Sequence, residues 1–233
     1  MERSCSGGIV MITVKKNAIK YKSSDGTMKD SGVLCQVGTF GEDWFQYATQ
    51  IQGLFRDAIV PQCTEIDLTL PNITSMSHAF YYSVGFKKVK LSGNDNGNLL
   101  NTNNAFWGCN DVEIIDFSGL KCVFNNAGGM FRQCPNLKYI YGELDCTNAS
   151  SLQSMFMNDT LLEYVRFKKG SIYKNFEFSS QKNLTAETVQ NIIDGLSDLT
   201  GQTAQTITFH KDVKAKLTEE QIATITSKNW TLA

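Results

Sequence analysis

An internal repeat of about 25 residues constrains this chain more than any other feature. Phenylalanine recurs at positions 80, 106, 131 and 156, in steps of 26, 25 and 25 residues. Each is preceded by Ala or Met and followed by apolar residues six, nine and eleven positions later, and a looser match begins at Phe55. One such unit cannot bury its apolar face alone. The period therefore predicts stacked units with the phenylalanines in a row.

Two local patterns recur within each unit. The last positions alternate apolar and polar residues, which indicates a short strand with one buried face. A polar stretch such as Thr74–Ser77 or Asn101–Asn104 precedes the phenylalanine and predicts a short helical or 3₁₀ segment that carries the ring. We therefore expect an α/β solenoid with turns of about 25 residues, each pairing a short strand with a short helical segment.

The period ends before the C-terminus. Thr185 and Thr218 precede apolar residues at helical spacing and are expected to be helix N-caps, with Gln221 completing a capping box. Two strands are expected at 206–209 and 229–232. This gives an N-terminal arm or small hairpin at 1–38, the repeat domain at 39–180 and a helix–strand cap at 181–233. An amphipathic helix is expected between Asp43 and Phe55, and a loop at 94–104. Whether Met1 or Met11 is the start stays open.

Composition narrows the functional classes. Lys and Arg number 22 against 23 Asp and Glu, so the net charge is −1. This argues against a nucleic-acid partner, because such proteins usually carry a basic excess. No run of 18 apolar residues and no secretory signal pattern occur, so we expect no membrane insertion. The oligomeric state and the location stay open.

The seven cysteines lack a Cys-x-x-Cys pair, which excludes zinc-ribbon and thioredoxin-type motifs. Cys109 and Cys134 are 25 residues apart, and Cys122 and Cys146 are 24 apart, close to the repeat period. Two arrangements fit this spacing. The cysteines are buried thiols on successive units, or a disulfide bridges two stacked units.

The sequence contains no motif that indicates an enzyme, a cofactor site or a metal site. Phosphate-binding glycine loops, zinc-protease, nucleophile-elbow and EF-hand patterns are absent. The two histidines, His78 and His210, have no catalytic partner in the sequence. Asp111, Glu113 and Asp116 lack the spacing of calcium ligands and indicate a solvated face. We therefore expect a protein that is not an enzyme.

Binding is the function that remains, and the short strands supply the candidate residues. Their outward positions form two columns: Lys88, Ile114, Tyr139 and Tyr164 in the first, and Lys90, Asp116, Tyr141 and Arg166 in the second. Tyrosine and arginine dominate interface hot spots, so the candidate ligand-binding residues are Tyr139, Tyr141, Tyr164, Arg166, Lys88 and Lys90. The alternative is that the tyrosines only pair across strands. The residues after each phenylalanine form a second candidate group: Tyr81, Trp107, Arg132 and Met157.

The repeat resembles a known family. The Met-Phe or Ala-Phe units, Cys134-Pro-Asn-Leu137 and the stretch from Leu144 to Phe156 are similar to the BspA-like leucine-rich repeats of bacterial proteins, over roughly residues 50–180. The segment from Leu184 to Ala233 looks like the closing part of such proteins in gut bacteria and their prophages. The resemblance implies a leucine-rich-repeat solenoid that binds a protein or glycan without catalysis, at a cell surface or on a phage particle. A structural role in a phage tail, with 1–38 as attachment arm, is the alternative.

Overall fold

The computed structural model describes the backbone at residues 12–13, 20–22, 28–30, 36–37, 45 and 48–233, and the side chains at 45, 48–59 and 65–233. The elements are strands β1 (Ile12–Thr13), β2 (Lys20–Lys22), β3 (Met28–Asp30), β4 (Gln36–Val37), β5 (Ala48–Gln50), β6 (Ile59–Leu70), β7 (Val84–Gly93), β8 (Leu99–Asn101), β9 (Ile114–Leu120), β10 (Cys122–Asn126), β11 (Tyr139–Asp145), β12 (Tyr164–Phe167), β13 (Phe176–Phe178), β14 (Gln205–Phe209) and β15 (Trp230–Leu232), and helices α1 (Ala186–Gly195), α2 (Lys211–Lys214) and α3 (Glu219–Ser227).

The main sheet has seven strands in the order β6-β7-β9-β11-β10-β8, with β12 also paired to β11. Every pairing among these strands is parallel. The repeat explains this arrangement, because each unit returns the chain to the same edge before its strand begins. Strands β13, β14 and β15 form a second parallel sheet, whereas β3-β2-β5 and β1-β4 are antiparallel.

The expected α/β solenoid of leucine-rich-repeat type is wrong. The main sheet is a curled half-barrel of parallel strands with few helices. In the described part of the chain, all three helices begin after residue 185. The segments that carry the phenylalanines are turns, because the residues two before and two after each ring have positive φ, as His78 and Tyr82 do around Phe80. Alternating left- and right-handed residues cannot continue a helix.

These turns stack into a column of their own, formed by residues 53–57, 78–82, 104–108, 129–133 and 154–158, which we call the turn column. Its backbone amides donate to the next unit instead of along a helix. The phenylalanine N–H groups illustrate this with bonds of 2.6–3.0 Å: Phe55 to Ala79, Phe80 to Ala105, Phe106 to Met130 and Phe131 to Met155. The peptide groups in these bonds therefore all point in one direction along the stack.

The predicted row of phenylalanines is confirmed. Successive ring centroids lie 4.9 Å apart for Phe80 and Phe106, 5.8 Å for Phe106 and Phe131, and 5.4 Å for Phe131 and Phe156. These pairs are stacked, with interplanar angles of 7°, 18° and 13°. The row continues to Phe55 at one end and through Phe178 to Phe209 at the other. It joins both parallel sheets into one core.

The other expected elements are partly confirmed. Thr185 and Thr218 cap α1 and α3, and Gln221 completes the capping box. The helix expected between Asp43 and Phe55 is wrong where the chain is described, because β5 and a turn stand there. The loop expected at 94–104 contains β8. Of the expected hairpin at 11–37, β1 pairs with β4, and the intervening residues mostly lie outside the described ones. No helix in the described ranges is long and apolar enough to span a bilayer.

The four cysteines with described side chains are buried and free, which answers the question that their spacing left open: Cys109, Cys122, Cys134 and Cys146. Burial raises the pKa of the Cys122 and Cys146 thiols. The side chains of Cys5, Cys35 and Cys63 lie outside the described residues.

One buried polar position repeats three residues after each phenylalanine. Its occupants are Ser83, Cys109, Cys134 and Asp159. The Cys134 thiol donates to the carbonyl of Phe106 at 3.0 Å, and the Cys109 thiol donates to Phe80 at 2.9 Å. Asp159 Oδ1 accepts the Cys134 N–H at 2.8 Å, but its buried Oδ2 has no partner. Among the described residues nothing donates to the Phe131 carbonyl, so we expect Asp159 to be protonated and to fill this role.

Asp159→Asn should therefore stabilise the protein at neutral pH. Burial raises the pKa of Asp159 well above its usual value, so the folded chain holds a proton that the unfolded chain has lost. Wild-type stability then falls by about 1.4 kcal/mol per pH unit between the two pKa values. Asparagine keeps an acceptor and a donor without titrating. Urea unfolding from about pH 4 to about pH 8 should show an advantage of the variant that grows with pH. A wild type that gains on the variant as pH rises would show an ionised Asp159.

Candidate functional site

The solvent face of the main sheet carries the first predicted column. The strand register places Lys88 beside Ile114, Ile114 beside Tyr139, and Tyr139 beside Tyr164. Glu65 of β6 adds one more position next to Lys88. The period-2 alternation within each strand is therefore enough to predict which residues line up across four strands.

The second predicted column breaks at Arg166. Lys90, Asp116 and Tyr141 are neighbours as expected, but Arg166 lies beside Glu143 instead of Tyr141. Between its pairings with Tyr164 and Arg166, β11 has two residues more than β12. Gly142 lies in this bulge with a φ of +96°, a conformation that favours glycine. The shift places an Arg166 guanidinium nitrogen 3.4 Å from a Glu143 carboxylate oxygen.

Three tyrosines remain together on this face, and we call Tyr139, Tyr141 and Tyr164 the tyrosine patch. The ring centroids of Tyr139 and Tyr141 are 6.0 Å apart with an interplanar angle of 6°, and those of Tyr141 and Tyr164 are 5.8 Å apart. Tyr141 is 39 % exposed, and the other two are half-buried. The rings therefore brace one another while one of them projects into solvent.

Glu163 holds one member of the patch in place. The Tyr139 hydroxyl donates to Glu163 Oε2 at 2.9 Å, and this bond raises the pKa of Tyr139. Sequence reasoning missed both Glu163 and Glu143 as partners of candidate residues. The only available signal was that each glutamate lies within two residues of a patch tyrosine.

The two candidate lysines share the face but not the patch. Lys88 and Lys90 lie on β7, and β9 separates them from β11, so they are roughly 10 Å from the tyrosines at ordinary strand spacing. Lys90 donates to Asp67 Oδ2 at 2.7 Å, which raises its pKa. Lys90 is therefore already paired, whereas Arg166 with Glu143 is the charged pair nearest the tyrosines.

The second candidate group lies on the turn column and is largely self-satisfied. The Arg132 guanidinium stands 4.4 Å from the Trp107 ring centroid, and the Arg56 guanidinium stands 4.9 Å from that of Tyr81. Trp107 Nε1 donates to Gln133 at 2.7 Å. These contacts explain how a tryptophan is accommodated at an outward position.

The groups expected to have no chemistry make structural contacts. His78 is bound at both ring nitrogens, by Ser77 at 2.8 Å and Asn104 at 3.2 Å, while His210 caps α2. Asp111 accepts the Gly85 N–H at 2.7 Å. Within the described ranges, no three His, Cys, Asp or Glu side chains cluster as metal ligands would.

Comparison of the chain with protein-family models, with curated proteins and with solved structures finds no match in any of the three. The similarity to BspA-like repeats therefore rests on the sequence pattern, and function has to be argued from geometry.

Proposed function

We propose that this chain is a non-enzymatic recognition module that binds a protein through the solvent face of its main sheet. The observation that carries the proposal is the tyrosine patch, in which Tyr141 projects between two half-buried rings. Tyrosine is enriched among residues that dominate binding energy, because it offers a large apolar ring and a hydroxyl with few rotatable bonds.

The mutual packing of the rings supports this role. Tyr141 contacts both neighbouring tyrosines, so its side chain loses little conformational freedom when a partner covers it. Tyr139 is further held by Glu163. A preorganised aromatic centre contributes more net affinity than mobile side chains of the same area.

The charges around the patch form a suitable polar rim. Arg166 pairs with Glu143, and Glu113 lies between Lys138 at 3.3 Å and Lys87 at 3.7 Å. Rim charges that are paired and solvated steer a partner and select against wrong ones more than they add affinity. The arrangement matches an interface with an aromatic centre and a polar edge.

The proposed place of action, a cell surface or a phage particle, is supported by the resemblance of residues 50–180 to BspA-like repeats. The near-neutral charge of −1 agrees with a partner other than nucleic acid.

The test is a double replacement of Tyr141 and Tyr164 by alanine. Truncating a hot-spot side chain costs about 2 kcal/mol or more, so we expect capture of a partner selected on a protein array to weaken by at least ~30-fold. Surface replacements away from the core shift stability little, so urea unfolding should stay close to wild type.

The matched control is Tyr82→Ala. Tyr82 is 44 % exposed and lies on the turn column instead of the sheet face. It should leave capture unchanged. Equal loss in this control, or capture by a glycan array and by no protein, would contradict the proposal of a protein partner at the tyrosine patch.

A further inference from the structure

The hydrogen-bond ladder between units stops abruptly after the unit that contains Phe131. In that unit Ala127 N–H donates to the Ser151 carbonyl at 3.0 Å, and Gly129 N–H donates to the Gln153 carbonyl at 2.9 Å. The corresponding donors one period later are Leu152 and Ser154. Among the described residues, neither of these amides has an acceptor. Two backbone donors that are paired in every earlier unit from Ile51 onward are thus left open, which is unusual for backbone at a buried position such as Leu152.

The cause is a change in the direction of the chain. Residues that would supply the next acceptors are tied to the second parallel sheet instead. Asn175 N–H donates to Gln205 Oε1 at 2.9 Å, and Thr206 N–H donates to Asn175 Oδ1 at 2.7 Å. A cleft of about 650 Å³ opens where the next turn would have stacked; its lining includes Leu152, Gln153 and Ser154 on one side and Lys174, Thr206 and Thr208 on the other.

The open amides make this cleft suitable for an oxygen anion. The peptide groups of the turn column point in one direction over successive units, so their positive ends face the cleft, where Leu152 and Ser154 terminate the ladder. Successive aligned N–H groups form an anion-binding concavity. Lys174, whose ammonium donates to the Ser150 carbonyl at 2.7 Å, adds a positive charge to the lining, and Glu177 supplies the carboxylate that an anion would have to face.

The remaining lining groups suit a ligand with many hydroxyls. The side chains of Gln153, Thr206 and Thr208 line the cleft and make no hydrogen bond to another described residue. Each offers both a donor and an acceptor. Glu177 and Thr208 are neighbours in the register of β13 and β14, so they present polar groups side by side.

We propose that the cleft between residues 150–154 and strands β13–β14 binds a saccharide that carries a carboxylate, with the acid on the Leu152 and Ser154 amides and the sugar hydroxyls on the threonine and glutamine side chains. This site is separate from the tyrosine patch and does not depend on the proposed function.

The direct test is a titration of the full-length ¹⁵N-labelled chain with glucuronate, followed by NMR. The amides of Leu152 and Ser154 should shift strongly, while those of Ala127 and Gly129, whose acceptors are already in place, should stay unchanged. Methyl glucuronate ester, which keeps the hydroxyls and lacks the charge, should bind at least ~10-fold more weakly, since a charge-assisted bond is about twice as strong as a neutral one. Acetate, which keeps only the charge, should also bind more weakly.

Variants of the lining separate the two halves of the proposal. Glu177→Gln removes a like charge and should tighten glucuronate binding several-fold, whereas Thr206→Val with Thr208→Val should weaken it ~10-fold through lost hydrogen bonds. Thr231→Val, at an exposed position of β15, is the control and should bind as wild type does. The double tyrosine variant should also bind normally, so the two proposals fail separately. No shift at Leu152 and Ser154, equal binding of the ester, or acetate as tight as glucuronate would overturn the site as proposed.

Discussion

Phe131→Ala is expected to lower the free energy of unfolding by about 3–5 kcal/mol, the range for truncating a fully buried aromatic side chain. Phe131 is 0 % exposed and lies between Phe106 and Phe156, with ring centroids 5.8 Å and 5.4 Å away. The backbone bond from Phe131 N–H to the Met155 carbonyl holds the neighbouring units apart at 3.0 Å. The cavity therefore cannot close by bringing Phe106 and Phe156 together. Equilibrium unfolding in urea measures the loss.

Phe124→Ala is the matched control. Phe124 is equally buried, but it makes no ring contact among the described residues. Aromatic pairs contribute about 0.5–1.5 kcal/mol beyond burial, so Phe131→Ala should exceed the control by about that amount or more, because Phe131 has ring partners on both sides. A loss below about 1 kcal/mol at Phe131 would contradict its place in the core.

Gly142→Ala is expected to cost about 2–4 kcal/mol, near the top of the range for single substitutions. The φ of Gly142 is +96°, which an alanine adopts only with strain. An alanine Cβ would also lie 2.7 Å from the backbone carbonyl carbon and oxygen of Phe117 on the neighbouring strand. One of the two strands therefore has to move.

Gly201→Ala separates strain from collision. Gly201 has a φ of +77°, but an added Cβ would meet no atom within 4 Å. It should cost only about 1 kcal/mol, from backbone strain alone. The Gly142 variant should additionally perturb the Tyr141 ring resonances in NMR spectra, because the bulge positions β11 against β12. An equal effect of both alanines would show that the approach to Phe117 is not limiting.

Much of the core followed from periodicity. The recurrence of Phe80, Phe106, Phe131 and Phe156 predicted their row, because residues one period apart occupy equivalent places in stacked units. The capping roles of Thr185 and Thr218 followed from residue type and spacing. These features depend on local chemistry or on the constant period, and both can be read along the chain.

The tyrosine patch was predicted only in part. Alternation placed Tyr139 and Tyr164 in one column correctly, but it placed Arg166 beside Tyr141, two residues from its actual neighbour Glu143. A bulge changes register without changing the alternation, so pattern reasoning cannot detect it. Gly142 was the one residue that could have indicated the irregularity.

The class of fold was predicted wrongly for a related reason. Polar residues such as Asn104 and Ser154 suit a helix cap and a left-handed turn equally well. Sequence alone cannot decide between them, because the choice depends on whether the amides find acceptors within the segment or in the next unit. The stacked neighbours supply those acceptors, and the turns follow.

The order of amino acids thus set the repeat length, the buried face of each strand and the ends of the C-terminal helices, since each depends on spacing or on residue type. The left-handed turns, the curl of the sheet, the bulge at Gly142 and the cleft beside Ser154 were decided in three dimensions. They depend on which backbone groups from distant parts of the chain come within hydrogen-bonding distance, and that is a property of the packed molecule.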